Sequence, residues 1–154
     1  MIKEIIAPEE KSNICNDILR ALPDWFGIEA SIVDYANQVQ AMPFFAAFDR
    51  GKPIGFAALK IHSAFTAEVY VMGVLEEYHR QGVGKTLIDS CEKYCSKSLI
   101  EFLTVKTLDK SRASTRYEKT RLFYRALGFK PLEVFPLLWD ENNPCLFMAK
   151  CITK

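Results

Sequence analysis

Residues able to do chemistry concentrate between Val71 and Ile88. The run Val71-Met72-Gly73-Val74-Leu75-Glu76-Glu77-Tyr78-His79-Arg80-Gln81-Gly82-Val83-Gly84-Lys85-Thr86-Leu87-Ile88 reads as an apolar strand, a polar turn, two glycines and an apolar helix. Arg80, Gly82 and Gly84 let backbone approach an anion, because glycine has no Cβ and a helix N-terminus presents unpaired N–H groups. The stretch is a candidate pyrophosphate site. A P-loop would end in Gly84-Lys85-Thr86, but His79 stands where its first glycine belongs. A dinucleotide fingerprint would need a glycine at Leu87 and an earlier place in the chain.

A second candidate is Glu68, inside the otherwise apolar Val69-Tyr70-Val71 context. Period-two alternation puts it on one face with Tyr70 and Met72. A carboxylate there costs free energy unless it is solvated or paired. A cross-strand salt bridge is therefore one role open to it. Trp25 and Phe26, near Asp24 and Glu29, either wall a substrate or pin helices to a core. The basic stretch from Lys106 to Arg116 is most simply solvated. His62 and His79 read as surface residues, His79 being close enough to join the phosphate turn.

The elements that must position these groups follow from periodicity and punctuation. Ile2 to Ala7 reads as a strand. A helix opens at Pro8 with Glu9 and Glu10, since proline suits a first turn and acids suit the positive dipole end. Ile14, Cys15, Ile18, Leu19 and Leu22 form its buried stripe, and Pro23 stops it. A second helix runs from Ile28 until Pro43 halts the chain. Phe44 to Phe48 and Pro53 to Ile61 form a hairpin about Asp49-Arg50-Gly51-Lys52. Ala67 to Leu75 is a strand, Gly82 to Ser96 a helix and Ile100 to Thr107 a strand. Arg116 to Leu127 is a helix with Gly128 as its left-handed stop. Phe129 to Leu138 and Cys145 to Cys151 are two final strands. The order is β-α-α-β-β-β-α-β-α-β-β.

At 154 residues the chain is most simply a single domain, residues 1–154. A net charge of +1 implies no general attraction to nucleic acid or to a membrane surface. The five cysteines include no C-x-x-C pair, and Cys91 and Cys95 share one helical face, so core packing is favoured over metal binding. An odd cysteine count and a charged, short N-terminus point to a reducing cytoplasm.

The run Arg80-Gln81-Gly82-Val83-Gly84-Lys85 resembles the R/Q-x-x-G-x-G/A turn of the GCN5-related N-acetyltransferases (GNAT), with Arg80 taken as the arginine of that motif. The run Arg121-Leu122-Phe123-Tyr124-Arg125-Ala126-Leu127-Gly128-Phe129 resembles the family's A-x-x-F/L-Y-x-x-x-G-F. With the element order, the resemblance covers nearly the whole chain. It implies an α/β (α+β) fold: a mixed, mostly antiparallel sheet of about seven strands flanked by four helices.

It further implies acetyl transfer from acetyl-CoA to a primary amine of a small molecule or peptide, without a metal. The pantetheine would meet Met72, Gly73 and Val74, with Gly73 suiting an irregular strand. The pyrophosphate would meet Arg80, Gln81, Gly82, Val83, Gly84 and Lys85. Tyr117 stands where the family often has a cofactor-contacting asparagine, and takes that place with a different side chain. Tyr124 is implied as the proton donor to the departing thiolate, or as a ring packed over the sulfur. Glu68 is implied as the general base, with a water relay as the alternative. The acceptor side belongs to the first two helices and the final hairpin. No nucleic acid or membrane partner is implied, and a homodimer is compatible with the fold. A non-catalytic acetyl-CoA sensor on the same fold is the contrasting function.

Overall fold

A computed structural model describes residues 1–152. The elements are β1 (Ile2–Glu4), α1 (Pro8–Arg20), α2 (Glu29–Gln38), β2 (Phe44–Asp49), β3 (Lys52–Ile61), β4 (Thr66–Val74), α3 (Val83–Lys97), β5 (Phe102–Leu108), α4 (Thr115–Ala126), β6 (Lys130–Asp140) and β7 (Asn143–Cys151). The strands form one seven-stranded sheet in the order β1-β2-β3-β4-β5-β7-β6. β4 pairs with β5 in parallel, whereas β1–β2, β2–β3, β5–β7 and β6–β7 are antiparallel. The mixed, mostly antiparallel sheet expected from the resemblance is therefore present. The chain gathers into two compact units, each made of two separated stretches: Met1–Ile61 with Val69–Tyr94, and His62–Glu68 with the chain from Cys95 onward.

In the first unit, α1 starts at Pro8 with Glu9 and Glu10 in its first turn and Arg20 in its last. Both ends suit the helix dipole. Its apolar stripe buries Ile14, Cys15, Ile18 and Leu19. Arg20 holds Glu29 through two bonds of 2.6 and 2.7 Å, joining the end of α1 to the start of α2. β1 is shorter than expected, because Pro8 begins a helix only four residues after Glu4. The β2–β3 turn places Arg50 at φ 53° and Gly51 at φ 78°. Two successive left-handed residues match the right-handed twist of the flanking strands.

Gly73 has a second, local explanation. A Cβ there would lie 3.1 Å from Leu22 Cδ1 and 3.2 Å from Ile18 Cγ2. The missing side chain lets α1 and the residues after it seat closely on β4.

In the second unit, β5 lies between the start of β4 and β7, with Thr66↔Phe102, Ala67↔Leu103 and Glu68↔Thr104 in register. β6 is the sheet edge, which is where Pro131 and Pro136 are tolerated, since neither can donate to a ladder. Bulges between Pro131 and Glu133 and between Phe135 and Asp140 interrupt its pairing with β7. α4 is capped by the Ser114 hydroxyl, which accepts from the Tyr117 N–H at 3.3 Å. It ends as expected at Gly128, with φ 98° and a Phe129 N–H bond to the Tyr124 carbonyl of 3.0 Å.

Candidate active site

The candidate phosphate turn belongs to the first unit. After β4, a single 3-10 turn (Glu76–Tyr78) leads into Arg80, at φ 63°, and Gly82, at φ 81°. Left-handed backbone strongly favours glycine at position 82. Nothing lies within 4 Å of where a Gly82 Cβ would stand, so the turn is open above that residue. The first helical bond of α3 is Thr86 N–H to Gly82 O, at 3.0 Å, and the Thr86 hydroxyl donates to the same carbonyl at 2.8 Å. The N–H groups of Val83, Gly84 and Lys85 precede that bond and lie at the positive end of the helix. Arg80, Gln81 and Lys85 are exposed here. The residues present thus fit a pyrophosphate.

The arginine assignment needs a correction. Counted back from Gly82, R/Q-x-x-G-x-G begins at His79, not at Arg80. His79 is half-buried rather than a plain surface residue. Its Nε2 lies 2.7 Å from the Val74 carbonyl, and its ring meets the edge of Trp25 at 5.6 Å. It ties the turn back to the end of β4. Tyr78 adds a second tie, donating to Asp49 Oδ2 at 2.7 Å. Trp25 therefore serves as a pin for the turn. Phe26 likewise packs edge-on to Tyr35 at 6.1 Å, and Tyr35 onto Tyr70 at 5.4 Å, so the connector is joined by rings to β4. Met72 and Val74 are half-buried in that strand, and Gly73 between them is buried.

The titratable cluster belongs to the second unit. Glu68 is only 5% exposed. Its Oε1 receives Lys106 Nζ at 3.1 Å and lies 2.6 Å from His62 Nε2. The cross-strand ion pair open to Glu68 from sequence is thus realised. Lys106 is not part of a solvated basic loop but the fifth residue of β5, paired to Phe147 of β7 across the ladder. Parallel register explains the meeting: Glu68 faces Thr104, and Lys106 lies two residues on, along the same face. His62, expected at the surface, is held by its N–H to the Thr66 carbonyl at 2.9 Å, with its side chain 37% exposed.

Glu68, Lys106 and His62 border a cavity of about 370 Å³ whose other walls include Phe135, Leu138 and Phe147. Near Lys106 and Glu68, burial pushes the Cys145 thiol up to about 11, so it is neutral near pH 7.

Tyr124 is 5% exposed on α4, between Phe123 at 5.2 Å and Phe129 at 5.4 Å, both edge-on. Tyr117 is half-buried about two turns earlier on α4, and desolvation holds its phenol above the ordinary value, against a smaller lowering by Arg112. The rest of the stretch from Lys106 to Arg116 is also structured. Arg112 bonds the Asn143 side chain, and Ser111 N–H bonds Asp109 Oδ2 at 3.0 Å. Among the described residues, no group of three or more His, Cys, Asp or Glu could hold a metal.

Comparison with known proteins bears on both units. An N-acetyltransferase of Chlorobaculum tepidum, itself uncharacterised, is 28% identical over 111 residues, 70% of this chain and 64% of that protein. The match therefore spans less than two thirds of that relative's length. Solved structures share the fold. A GNAT-family acetyltransferase of Desulfovibrio desulfuricans superposes with a TM-score of 0.82 at 14% identity, covering 99% of each chain. An aminoglycoside 6'-N-acetyltransferase complexed with coenzyme A gives 0.81 at 20% identity, covering 100% of this chain and 98% of that one. Residues 40–131 match the acetyltransferase (GNAT) domain, a span that holds Glu68, the Met72–Val74 segment, the glycine turn, Tyr117 and Tyr124. The chain belongs to the GNAT acetyltransferase family.

Proposed function

We propose that this chain transfers the acetyl group of acetyl-CoA to a primary amine of a small molecule or peptide. The observation that carries the proposal is the open turn at Arg80 and Gly82, both left-handed, at the start of α3. Such a turn suits a pyrophosphate, and a fold neighbour of this chain binds coenzyme A. Arg80, Gln81, Gly82, Val83, Gly84 and Lys85 hold the pyrophosphate in this scheme. Met72, Gly73 and Val74 present backbone groups to the pantetheine, and Tyr117 contributes to the same substrate's site.

The reaction needs three things from the protein. The attacking nitrogen must be neutral, and its proton must leave as the carbon–nitrogen bond forms. The thioester oxygen needs a donor while negative charge builds on it. The sulfur needs a proton as the carbon–sulfur bond breaks. A backbone N–H from Met72–Val74 supplies the donor. Tyr124 supplies the proton to sulfur: a phenol with a reference pKa of about 10 can protonate a thiolate whose conjugate acid lies near about 8.5. Glu68 accepts the amine proton, directly or through water, from its place beside Lys106.

The test is thiol release from acetyl-CoA with and without a panel of primary amines, alongside calorimetric binding of acetyl-CoA. Amine-dependent release supports the proposal. Tight binding with no release for any amine would instead describe a sensor of acetyl-CoA.

A further inference from the structure

The cavity bordered by Glu68, Lys106 and His62 has a chemistry of its own. Its one carboxylate is already matched by the Lys106 ammonium at 3.1 Å and by the His62 ring at 2.6 Å. Among the described residues, no second Asp or Glu lines it. A further ionisable group near Lys106 and Glu68, the Cys145 thiol on β7, is neutral near pH 7 because burial raises it. The cavity therefore offers no surplus negative charge to a ligand with several ammonium groups.

Its walls are apolar instead. Phe135 of β6 and Phe147 of β7 form a tilted pair with centroids 6.1 Å apart, and Leu138 closes one side while remaining 55% exposed. About 370 Å³ is room for a small organic amine. Apolar walls also help the chemistry. They disfavour an ammonium and so favour the neutral form of a bound amine, the form that attacks.

We infer that this cavity takes the acceptor, and that the acceptor is a monoamine carried on an aromatic or branched apolar group rather than a polyamine or aminosugar. The inference rests on the acetyl-transfer reading proposed above. In it, the apolar group lies against Phe135, Phe147 and Leu138, and the nitrogen points towards Glu68 and His62. Transfer forms the carbon–nitrogen bond, breaks the carbon–sulfur bond, and moves one proton from nitrogen to the Glu68 side and one proton onto sulfur. No oxidant or reductant is involved.

The test is kcat/KM by thiol release, with acetyl-CoA saturating, for 2-phenylethylamine and isoamylamine against spermidine and kanamycin. The expected result is a preference of about tenfold or more for the apolar monoamines, a gap of the size hydrophobic pockets give. Leu138→Glu, at a half-exposed edge position that should leave the fold intact, is expected to raise KM for 2-phenylethylamine about tenfold or more, with acetyl-CoA affinity unchanged. Better turnover of spermidine or kanamycin, or an unaltered KM in Leu138→Glu, would overturn the inference and leave acetyl transfer standing. Binding of acetyl-CoA without turnover of any amine would overturn both.

Discussion

His62 Nε2 lies 2.6 Å from Glu68 Oε1, the same oxygen that receives Lys106 Nζ at 3.1 Å. A buried carboxylate with two such partners is satisfied rather than free. Lys106 ends its ammonium on that oxygen, while His62 is more exposed than Glu68, at 37% against 6% for the side chains. In the proposed reaction, a proton taken from an amine would reach Glu68 directly or by way of the imidazole. Glu68→Gln should lower kcat/KM by about 10² to 10⁴, the usual scale for proton transfer, and remove the acidic limb of the pH profile. His62→Ala should flatten the same limb with a smaller loss. Measurement of kcat/KM across pH for both variants checks this; wild-type profiles in both would make the cluster purely structural.

Gly82 sits at φ 81° with open space above it. A side chain there meets no wall, but a β-branched residue disfavours the left-handed backbone and covers the N–H groups of α3. Gly82→Val should weaken acetyl-CoA binding about tenfold or more, or about 1.4 kcal/mol. Calorimetry on the folded variant reads this out. Unchanged affinity would detach the turn from the pyrophosphate.

Tyr124→Phe keeps the ring between Phe123 and Phe129 and removes only the hydroxyl. If the phenol protonates the departing sulfur, kcat should fall by about 10² or more. Acetyl-CoA affinity and melting temperature should barely move, because the group acts mainly in the transition state. Full kcat, with chemistry shown to limit turnover, would leave solvent as the proton source.

The thiols give a prediction independent of catalysis. Burial pushes Cys15 up to about 12 and Cys145 up to about 11, while Cys151 is exposed. A thiol raised in the folded state favours folding below its unfolded pKa, near about 8.5, and that contribution is lost as pH rises towards the folded value. Near pH 8, Cys151 should be modified rapidly by a thiol reagent and Cys15, Cys91, Cys95 and Cys145 slowly. Mass spectrometry of the modified protein checks the order. Reaction at Cys15 as fast as at Cys151 would contradict its burial.

Much of this was legible in the chain. Pro8 and Gly128 punctuate the elements where the structure begins or ends them, because each acts through local backbone geometry, whereas α2 ends at Gln38 and a 3-10 turn (Val39–Ala41) separates it from Pro43. Element ends shifted where side-chain bonds within a turn decided. β7 begins at Asn143, since Asp140 accepts from Asn142 and Asn143 and closes a tighter turn than Asp140-to-Pro144 suggested.

The partners of Glu68 were not legible as partners. Lys106 is 38 residues away along the chain, and only the parallel register of β4 with β5 brings the two together. One signal was present. Glu68 and Lys106 each interrupt an apolar strand, and two opposite charges stranded in neighbouring strands relieve one another. His79 was masked differently: its place in the motif is found only by counting back from Gly82, and its anchoring to Val74 and Trp25 depends on the folded turn.

Acetyl transfer itself is tested most directly with acetyl-CoA labelled with ¹³C in the acetyl group. The enzyme is incubated with 2-phenylethylamine and the other amines named above, and the products are read by mass spectrometry beside a thiol assay. The expected result is a labelled N-acetyl amide formed in equal amount to the free thiol, dependent on both enzyme and amine. Acetyl-CoA bound to the protein but returned intact, with no labelled amide from any amine, would contradict it.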